Sequence, residues 1–149
     1  MLKLRRIGVC FLLICSVLGS VALGDKTARA RGGHSGLGHG IGSFQLELSQ
    51  GQRASGWMQY AAEDHAAMYP EIIVKLDSFA FADILPGVAT FGGTGTFGDD
   101  TVSISGQAID GAFSGRPDSF SITCRDSHNS VVFHVAAELT SGDIAIQGN

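Results

Sequence analysis

The chain has 149 residues, a formal net charge of −4 and 21 glycines, about twice the usual share of glycine. This length predicts one domain. A collagen is excluded because glycine does not occupy every third position, and a coiled coil is excluded because Glu, Lys and Leu are too few. A nucleic-acid binder is disfavoured because 14 acidic residues outnumber the 10 Lys and Arg residues that would have to bind phosphate.

The N-terminus has the pattern of a signal peptide over residues 1–24. Three basic residues precede an uncharged apolar run, 7–23, and Ala22-Leu23-Gly24 places small residues where a signal peptidase cuts. We therefore predict cleavage before Asp25 and a secreted or periplasmic, cell-envelope protein without a stable membrane span. A retained anchor is the alternative, disfavoured because the run is close to the minimum of ~17 residues and is broken by Gly19-Ser20.

Removal of the signal peptide makes the chain more acidic. Seven basic residues then face 14 acidic ones, a net charge of −7, and the part from Ser43 onward carries −9. Such a surface repels nucleic acid and anionic lipid. Cys124 becomes the single cysteine, so no intrachain disulfide forms. Because Cys124 shares the alternation of Phe120 and Ile122, we expect a buried, inert thiol. An intermolecular disulfide is the alternative.

Residues 25–42 are rich in glycine and show no apolar periodicity that indicates a strand or helix. This composition predicts a flexible linker. His34 and His39 lie in it and could bind a transition metal weakly. A solvated tether is favoured, because an unfolded site must lose conformational entropy before it binds a metal.

Apolar and polar residues alternate along the remainder, 43–149, which is predicted to be the folded domain. The fold class expected is all-β, an antiparallel sandwich or up-and-down barrel of about eight short strands, because no segment is long enough for a crossover helix. A break in the alternation predicts a bulge at Asp77 or Ser78, which would turn Phe79 and Phe81 inward. The predicted strands are 43–50, 56–61, 71–81, 87–97, 101–110, 118–125, 130–139 and 142–147.

An ordered series of short fragments resembles a β-rich extracellular module found in bacterial secreted and surface proteins, often next to anchoring domains. The resemblance covers Gly40 to Gln147 and implies an extracellular β fold. It implies no established activity, so no catalytic residue is inferred from it. The fragments are Gly40-Ile41-Gly42 with Phe44, Gly56-x-Met58-x-Tyr60, Ala89-x-Phe91-x-Gly93, Asp110-Gly111, Asp118-Ser119-Phe120-x-Ile122 and Leu139-x-Ser141-Gly142-Asp143-Ile144-x-Ile146.

Carboxylates near glycines indicate a calcium site as the favoured metal chemistry. Asp110 and Asp118 bracket a glycine-rich loop whose carbonyls could complete a shell of six to eight oxygens. Glu63-Asp64-His65 is a second compact group. Ordinary turn chemistry is nevertheless favoured over a metal site, because Asp and Gly accept turn dihedrals and Asp bonds its own backbone. No cofactor other than calcium is predicted.

The motifs that would indicate an enzyme are weak. Residues 93–98 match G-x-G-x-x-G, but a hairpin rather than a helix is expected to follow them. Asp126-Ser127-His128 has the residue types of a hydrolase triad within a single turn, where such groups seldom converge. His134 and Glu138 share a strand face but are about 13 Å apart by strand rise. We therefore expect no catalytic residue.

The leading hypothesis is an exported, non-enzymatic β domain with a structural, adhesive or protein-interaction role in the cell envelope or extracellular space. Its partner would be an unidentified protein or envelope component that contacts edge strands and acidic loops. A calcium-stabilised surface module is one alternative. Another is a small lipocalin-like barrel that binds an apolar small molecule in its interior. The residues lining that pocket would be Trp57, Tyr60, Phe79, Phe81 and Phe91.

Overall fold

The computed structural model describes residues 26–35, 41–51, 53–62 and 72–147. The predicted signal peptide, His39 and the group Glu63-Asp64-His65 lie outside the described residues. Within those ranges, no helix is long and apolar enough to cross a membrane.

The described residues form nine β-strands in one antiparallel sheet that curls into a half-barrel. The spatial order is β8-β7-β6-β5-β4-β3-β2-β1-β9, so β1 to β8 make a meander and β9 returns to pair with β1. The expected all-β antiparallel class is confirmed. The strands are β1 (Lys26–Ser35), β2 (Ile41–Gln50), β3 (Ala54–Ala62), β4 (Ile72–Leu85), β5 (Val88–Phe97), β6 (Asp100–Ile109), β7 (Ser119–Arg125), β8 (Val131–Glu138) and β9 (Ser141–Gln147).

The eight predicted strands are all present and correspond to β2 through β9. Alternation sets which face of each strand is buried, because successive side chains of a strand point to opposite sides. In β2, for example, Phe44, Leu46 and Leu48 are buried whereas Glu47 is exposed.

The predicted flexible linker over residues 25–42 is wrong for Lys26–Ser35, which form β1 between β2 and β9. Ala28 and Ala30 point into the core and Arg29 and Arg31 point out. The alternation of β1 is therefore intact, but its inward side chains are too small to produce an apolar pattern. The strand is held by ladder hydrogen bonds to neighbours on both sides, and the folded sheet begins at Lys26 rather than at residue 43.

Two register shifts bend β4. The first, between Leu76 and Ser78, lies where the sequence predicts a bulge, and that prediction is confirmed. The second, between Phe79 and Phe81, was not predicted. It turns Phe81 to the outer face, where the side chain is 50% exposed, so the expected inward orientation of Phe81 is wrong. An extra residue in one strand bends that strand and increases its twist.

Glycines in β5 let the bent strand come close. A Cβ on Gly93 would overlap the carbonyl oxygen of Ser78, and a Cβ on Gly95 would overlap the carbonyl oxygen of Lys75. The G-x-G-x-x-G match at residues 93–98 therefore serves close backbone packing, and a turn into β6 follows it rather than a helix.

The curl brings β7 across the interior onto β2 and closes a single hydrophobic core. The rings of Phe44 and Phe120 stack with centroids 4.4 Å apart and an interplanar angle of 2°. Tyr60 lies 5.9 Å from Phe120 and 5.6 Å from Phe133, again measured between ring centroids. Aromatic side chains from distant strands thus contact one another in the centre of the half-barrel.

Replacement of Phe120 by Ala is expected to lower the free energy of unfolding by about 3–5 kcal/mol, because it removes the ring that joins β7 to β2 and leaves a cavity. Phe113→Ala is the matched control, since Phe113 is 67% exposed, and should change stability by less than about 0.5 kcal/mol. Urea denaturation measures both variants. Equal losses would contradict the packing described above.

Candidate functional site

The five aromatic residues predicted to line an apolar pocket lie on both faces of the sheet. Tyr60 and Phe91 are fully buried, and Phe79 is half-buried against Phe91 with ring centroids 6.5 Å apart. Trp57 and Phe81 are on the outer face, 43% and 50% exposed. Trp57 and Tyr60 are three residues apart in β3, so their side chains point to opposite faces of the sheet. The second register shift in β4 turns Phe81 outward. The five side chains therefore do not line one cavity.

A histidine and a tyrosine form a polar contact inside the core. His34 Nε2 lies 3.0 Å from the Tyr60 hydroxyl, and the two rings are within 8° of parallel. His34 is 1% exposed, so its expected place in a solvated tether is wrong. The inward alternation of Ala28, Ala30 and Gly32 continues to His34 and could have indicated this orientation. Pairing reduces the free-energy cost of burying these polar groups.

Burial shifts the pKa of two titratable groups in the core, the Tyr60 hydroxyl of this pair and the Cys124 thiol. Desolvation raises the pKa of the Tyr60 hydroxyl from 10.0 to about 12. Desolvation also raises the pKa of the Cys124 thiol, from 9.0 to about 12. Cys124 is fully buried, as the sequence predicts. A thiol that stays protonated is a poor nucleophile, so Cys124 is suited to packing rather than to catalysis.

These shifts predict that stability falls between about pH 9 and pH 12. Above pH 9 the unfolded chain releases the thiol proton that the folded chain keeps, and above pH 10 it releases the phenol proton as well. Rising pH then favours unfolding until the folded pKa values are reached. Urea midpoints from pH 8 to 11 measure the effect.

Cys124→Ala should remove the part of this fall that begins near pH 9 and leave the part that begins near pH 10. As a control on burial, a thiol reagent at pH 8 should modify Cys124 only in urea. Rapid modification of the native protein would contradict the buried thiol.

Asp110 and Asp118, the predicted calcium ligands, bracket a short 3-10 helix, Gly111–Phe113. Asp110 Oδ1 accepts the Ala112 N–H at 3.0 Å and caps this helix. Asp118 Oδ1 accepts the Gly111 N–H at 2.8 Å, and its Oδ2 accepts the N–H of Ile144 in β9 at 2.6 Å. The two carboxylates therefore bind backbone donors, and Asp118 ties the loop between β6 and β7 to β9.

No group of three or more His, Cys, Asp or Glu side chains converges on a metal-sized site within the described ranges. Calcium binding at Asp110 and Asp118 stays a prediction. The hydrogen bonds of both residues agree with the alternative of turn chemistry, because each carboxylate satisfies N–H groups at the end of a helix or strand.

The Asp126-Ser127-His128 turn does not have triad geometry. Asp126 Oδ2 lies 4.0 Å from His128 Nδ1, and Ser127 Oγ lies 3.4 Å from the same nitrogen. A triad needs the carboxylate on one ring nitrogen and the nucleophile on the other. Asp126 Oδ1 instead accepts the N–H of His128 and of Ser130, which closes the turn. His134 Nδ1 lies 3.0 Å from Thr123 Oγ1 on the outer face.

β3 and β4 pair over only part of their length. The paired stretch runs from Met58 opposite Leu76 to Ala62 opposite Ile72. Beyond Leu76, β4 stays paired with β5 on one side, and the first residues of β3 stay paired with β2. We call the wedge between Ala54–Trp57 and Asp77–Leu85 the β3–β4 seam. The seam holds a cleft of about 440 Å³, a volume typical of ligand sites. Its lining residues are Gln50, Gly51, Arg53, Ala54, Phe79, Ala80, Phe81 and Ala82.

One end of the seam is closed by Gln50 at the end of β2. Its Oε1 accepts the Ile84 N–H at 2.8 Å, and its Nε2 lies 3.4 Å from Asp83 Oδ1. Lys26 Nζ donates to the carbonyl oxygen of Ile84 at 3.1 Å. The bend in β4 therefore carries Ile84 to the ends of β1 and β2, and side chains replace the ladder partner that β3 does not provide there.

Trp57 stands beside the seam and is held in place on the outer face. Its Nε1–H donates to Glu47 Oε2 at 3.3 Å, and Glu47 Oε1 lies 3.3 Å from Arg29 Nη2. The indole is thus positioned by two neighbouring strands while it stays 43% exposed. Exposed aromatic rings held in position are frequent at binding surfaces.

A second cleft, of about 600 Å³, lies where β7 begins and β8 ends. Four of its ten lining residues carry a hydroxyl group, but most of the lining surface is apolar. Its residues are Ser35, Gln107, Ile109, Ser119, Phe120, Ser121, Ala136, Ala137, Glu138 and Thr140.

Neither family models nor curated proteins nor solved structures show a match to this chain. The β3–β4 seam, the Trp57 surface and the buried polar pair are therefore interpreted from their own geometry. Sequence reasoning missed the seam, because strand pairing that stops halfway leaves no pattern in either strand alone.

Proposed function

We propose that the protein is an exported, non-enzymatic β domain that binds another protein through the β3–β4 seam. The observation that carries the proposal is the seam itself, where two neighbouring strands diverge and leave a cleft lined by the exposed Phe81. The exposed Trp57 lies on β3 at the point where the two strands separate. Export is proposed from the signal-peptide pattern of residues 1–24. The resemblance to extracellular β modules supports the same location.

The geometry favours binding over catalysis. Ser127 and Asp126 both approach the same nitrogen of His128, and Cys124 is buried with a raised pKa. Neither arrangement supplies an activated nucleophile. The apolar-ligand alternative is less favoured, because Tyr60 and Phe91 contact other core rings while Trp57 and Phe81 face outward.

The seam is favoured over the second cleft for a reason of backbone chemistry. The second cleft is lined by residues of the β6–β7 and β7–β8 ladders, which are paired. The outer edge of β8, the last strand of the sheet, also lacks a partner among the described residues, but no exposed aromatic side chain lines that cleft. In the seam, β4 lacks a ladder partner on its β3 side from Asp77 to Leu85 within the described residues. An unpaired strand edge is a template for another chain, and a protein partner supplies the missing backbone groups.

Site-directed photocrosslinking tests the proposed surface. A photoreactive phenylalanine analogue is placed at position 81 or 57 of the full chain, with the more exposed position 113 as the control, in cells that export the protein. We expect a discrete protein adduct from positions 81 and 57 and none from 113. Adducts from 113 alone, or identical adducts from all three positions, would contradict binding at the seam.

A further inference from the structure

The edge of β4 in the seam provides main-chain hydrogen-bonding groups that no neighbouring strand uses. Within the described residues, pairing with β3 ends at Leu76, whereas pairing with β5 continues to Leu85. Every non-proline residue carries one N–H and one C=O, and in a strand successive residues direct them to alternate sides. About half of these groups between Asp77 and Leu85 therefore face the seam.

Gln50 shows that this edge already binds a group with the chemistry of a peptide bond. A carboxamide carries the same donor and acceptor as a backbone amide. Gln50 Oε1 accepts the Ile84 N–H at 2.8 Å, and Gln50 Nε2 lies 3.4 Å from the carboxylate of the adjacent Asp83. The side chain thus acts as a single peptide unit at one end of the edge.

The side chains around the edge suit a peptide with two kinds of residue. Phe81 lines the cleft on the outer face, and its ring lies across Gly92 of β5, where a Cβ would contact it. Arg53 is exposed and is the one charged residue among the described residues that line the cleft. Phe81 provides an apolar contact and Arg53 provides an attraction for a carboxylate.

Building on the seam-binding function above, we propose that the seam takes an extended peptide by strand addition to β4. The peptide forms main-chain hydrogen bonds with the free edge after Leu76, and its alternate side chains provide specificity. An apolar side chain of the peptide packs on Phe81, and an acidic side chain pairs with Arg53. Because the chain has a net charge of −4, most of its surface repels that acidic group, which fixes the position of the peptide along the seam.

The entry point of β1 bears on what else could occupy the seam. Lys26 Nζ donates to the carbonyl of Ile84, so the chain enters β1 beside the same end of β4. No described residue of β1 lines the cleft. A separate peptide is the proposed occupant because Arg53 in the cleft lining suits an acidic ligand, and a second copy of this chain is an outcome that the test distinguishes.

Selection from a random-peptide display library against the full exported protein tests the proposal. We expect enriched peptides in which an acidic residue and apolar residues alternate. Arg53→Glu and Phe81→Ala should each weaken binding of a selected synthetic peptide by about tenfold or more. Arg116→Glu and Phe113→Ala, which make the same changes at exposed sites elsewhere, should leave affinity within about twofold.

An ester analogue of the selected peptide separates strand addition from side-chain binding. Replacing alternate backbone N–H groups by oxygen keeps the side chains and removes donors, so affinity should fall by about tenfold. Hydrogen exchange should slow at residues 77–83 when the peptide binds. Equal affinity of the ester, or protection confined to β8 or β9, would overturn the proposal.

Two further outcomes would also reject strand addition by a separate peptide. One is a doubled mass in solution that Arg53→Glu returns to the single mass, which would assign the seam to a second copy. The other is a selection whose peptides bind wild type, Arg53→Glu and Phe81→Ala equally. Crosslinks from position 81 would, in that case, still support the proposed binding surface, so the two proposals fail separately.

Discussion

The close approach of β4 to β5 at Gly93 and Gly95 is the contact on which the rest of the structure depends. A sheet with one apolar face has to cover that face, and the one helix among the described residues, the 3-10 helix Gly111–Phe113, is too short to do so. The two register shifts bend β4, and the glycines opposite give the bent backbone the space that a Cβ would occupy. The sheet can then fold over until Phe120 stacks on Phe44.

The same bend that closes the core also opens the seam. A strand cannot curve toward the ends of β1 and β2 and stay paired with β3 along its whole length, so pairing stops at Leu76. Gln50 and Lys26 satisfy Ile84, where the bent strand reaches them. The residues between are left with an exposed edge and a cleft. The proposed binding surface is therefore a consequence of the way in which the core is covered.

Much of this fold can be predicted from alternation alone. The alternation of apolar and polar side chains predicts eight of the strands and the first register shift, at Asp77. It also predicts the burial of Cys124, which shares a strand face with apolar neighbours. β1 could not be predicted in the same way, because Ala28 and Ala30 are small and the strand is stabilised by pairing with two neighbours. Its role depends on β9, which is more than 100 residues away in the sequence.

The candidate site was harder to predict for a related reason. A register shift moves every later side chain to the other face, so one unforeseen shift placed Phe81 outside rather than inside. The hydrogen bond from the backbone N–H of Ile144 in β9 to the Asp118 carboxylate likewise forms only in the folded sheet. Contacts between distant strands determine both outcomes, and no local pattern reports them.

The most direct test of this account is a urea denaturation comparison of Gly93→Ala and Gly33→Ala. Both changes add one methyl group to a glycine within a strand, but a Cβ on Gly93 would overlap the Ser78 carbonyl oxygen, whereas a Cβ on Gly33 would meet the movable Ser141 hydroxyl at 3.2 Å. We expect Gly93→Ala to lose about 3 kcal/mol of unfolding free energy and Gly33→Ala to stay within about 0.5 kcal/mol of wild type. A Gly93→Ala protein as stable as wild type would contradict the account.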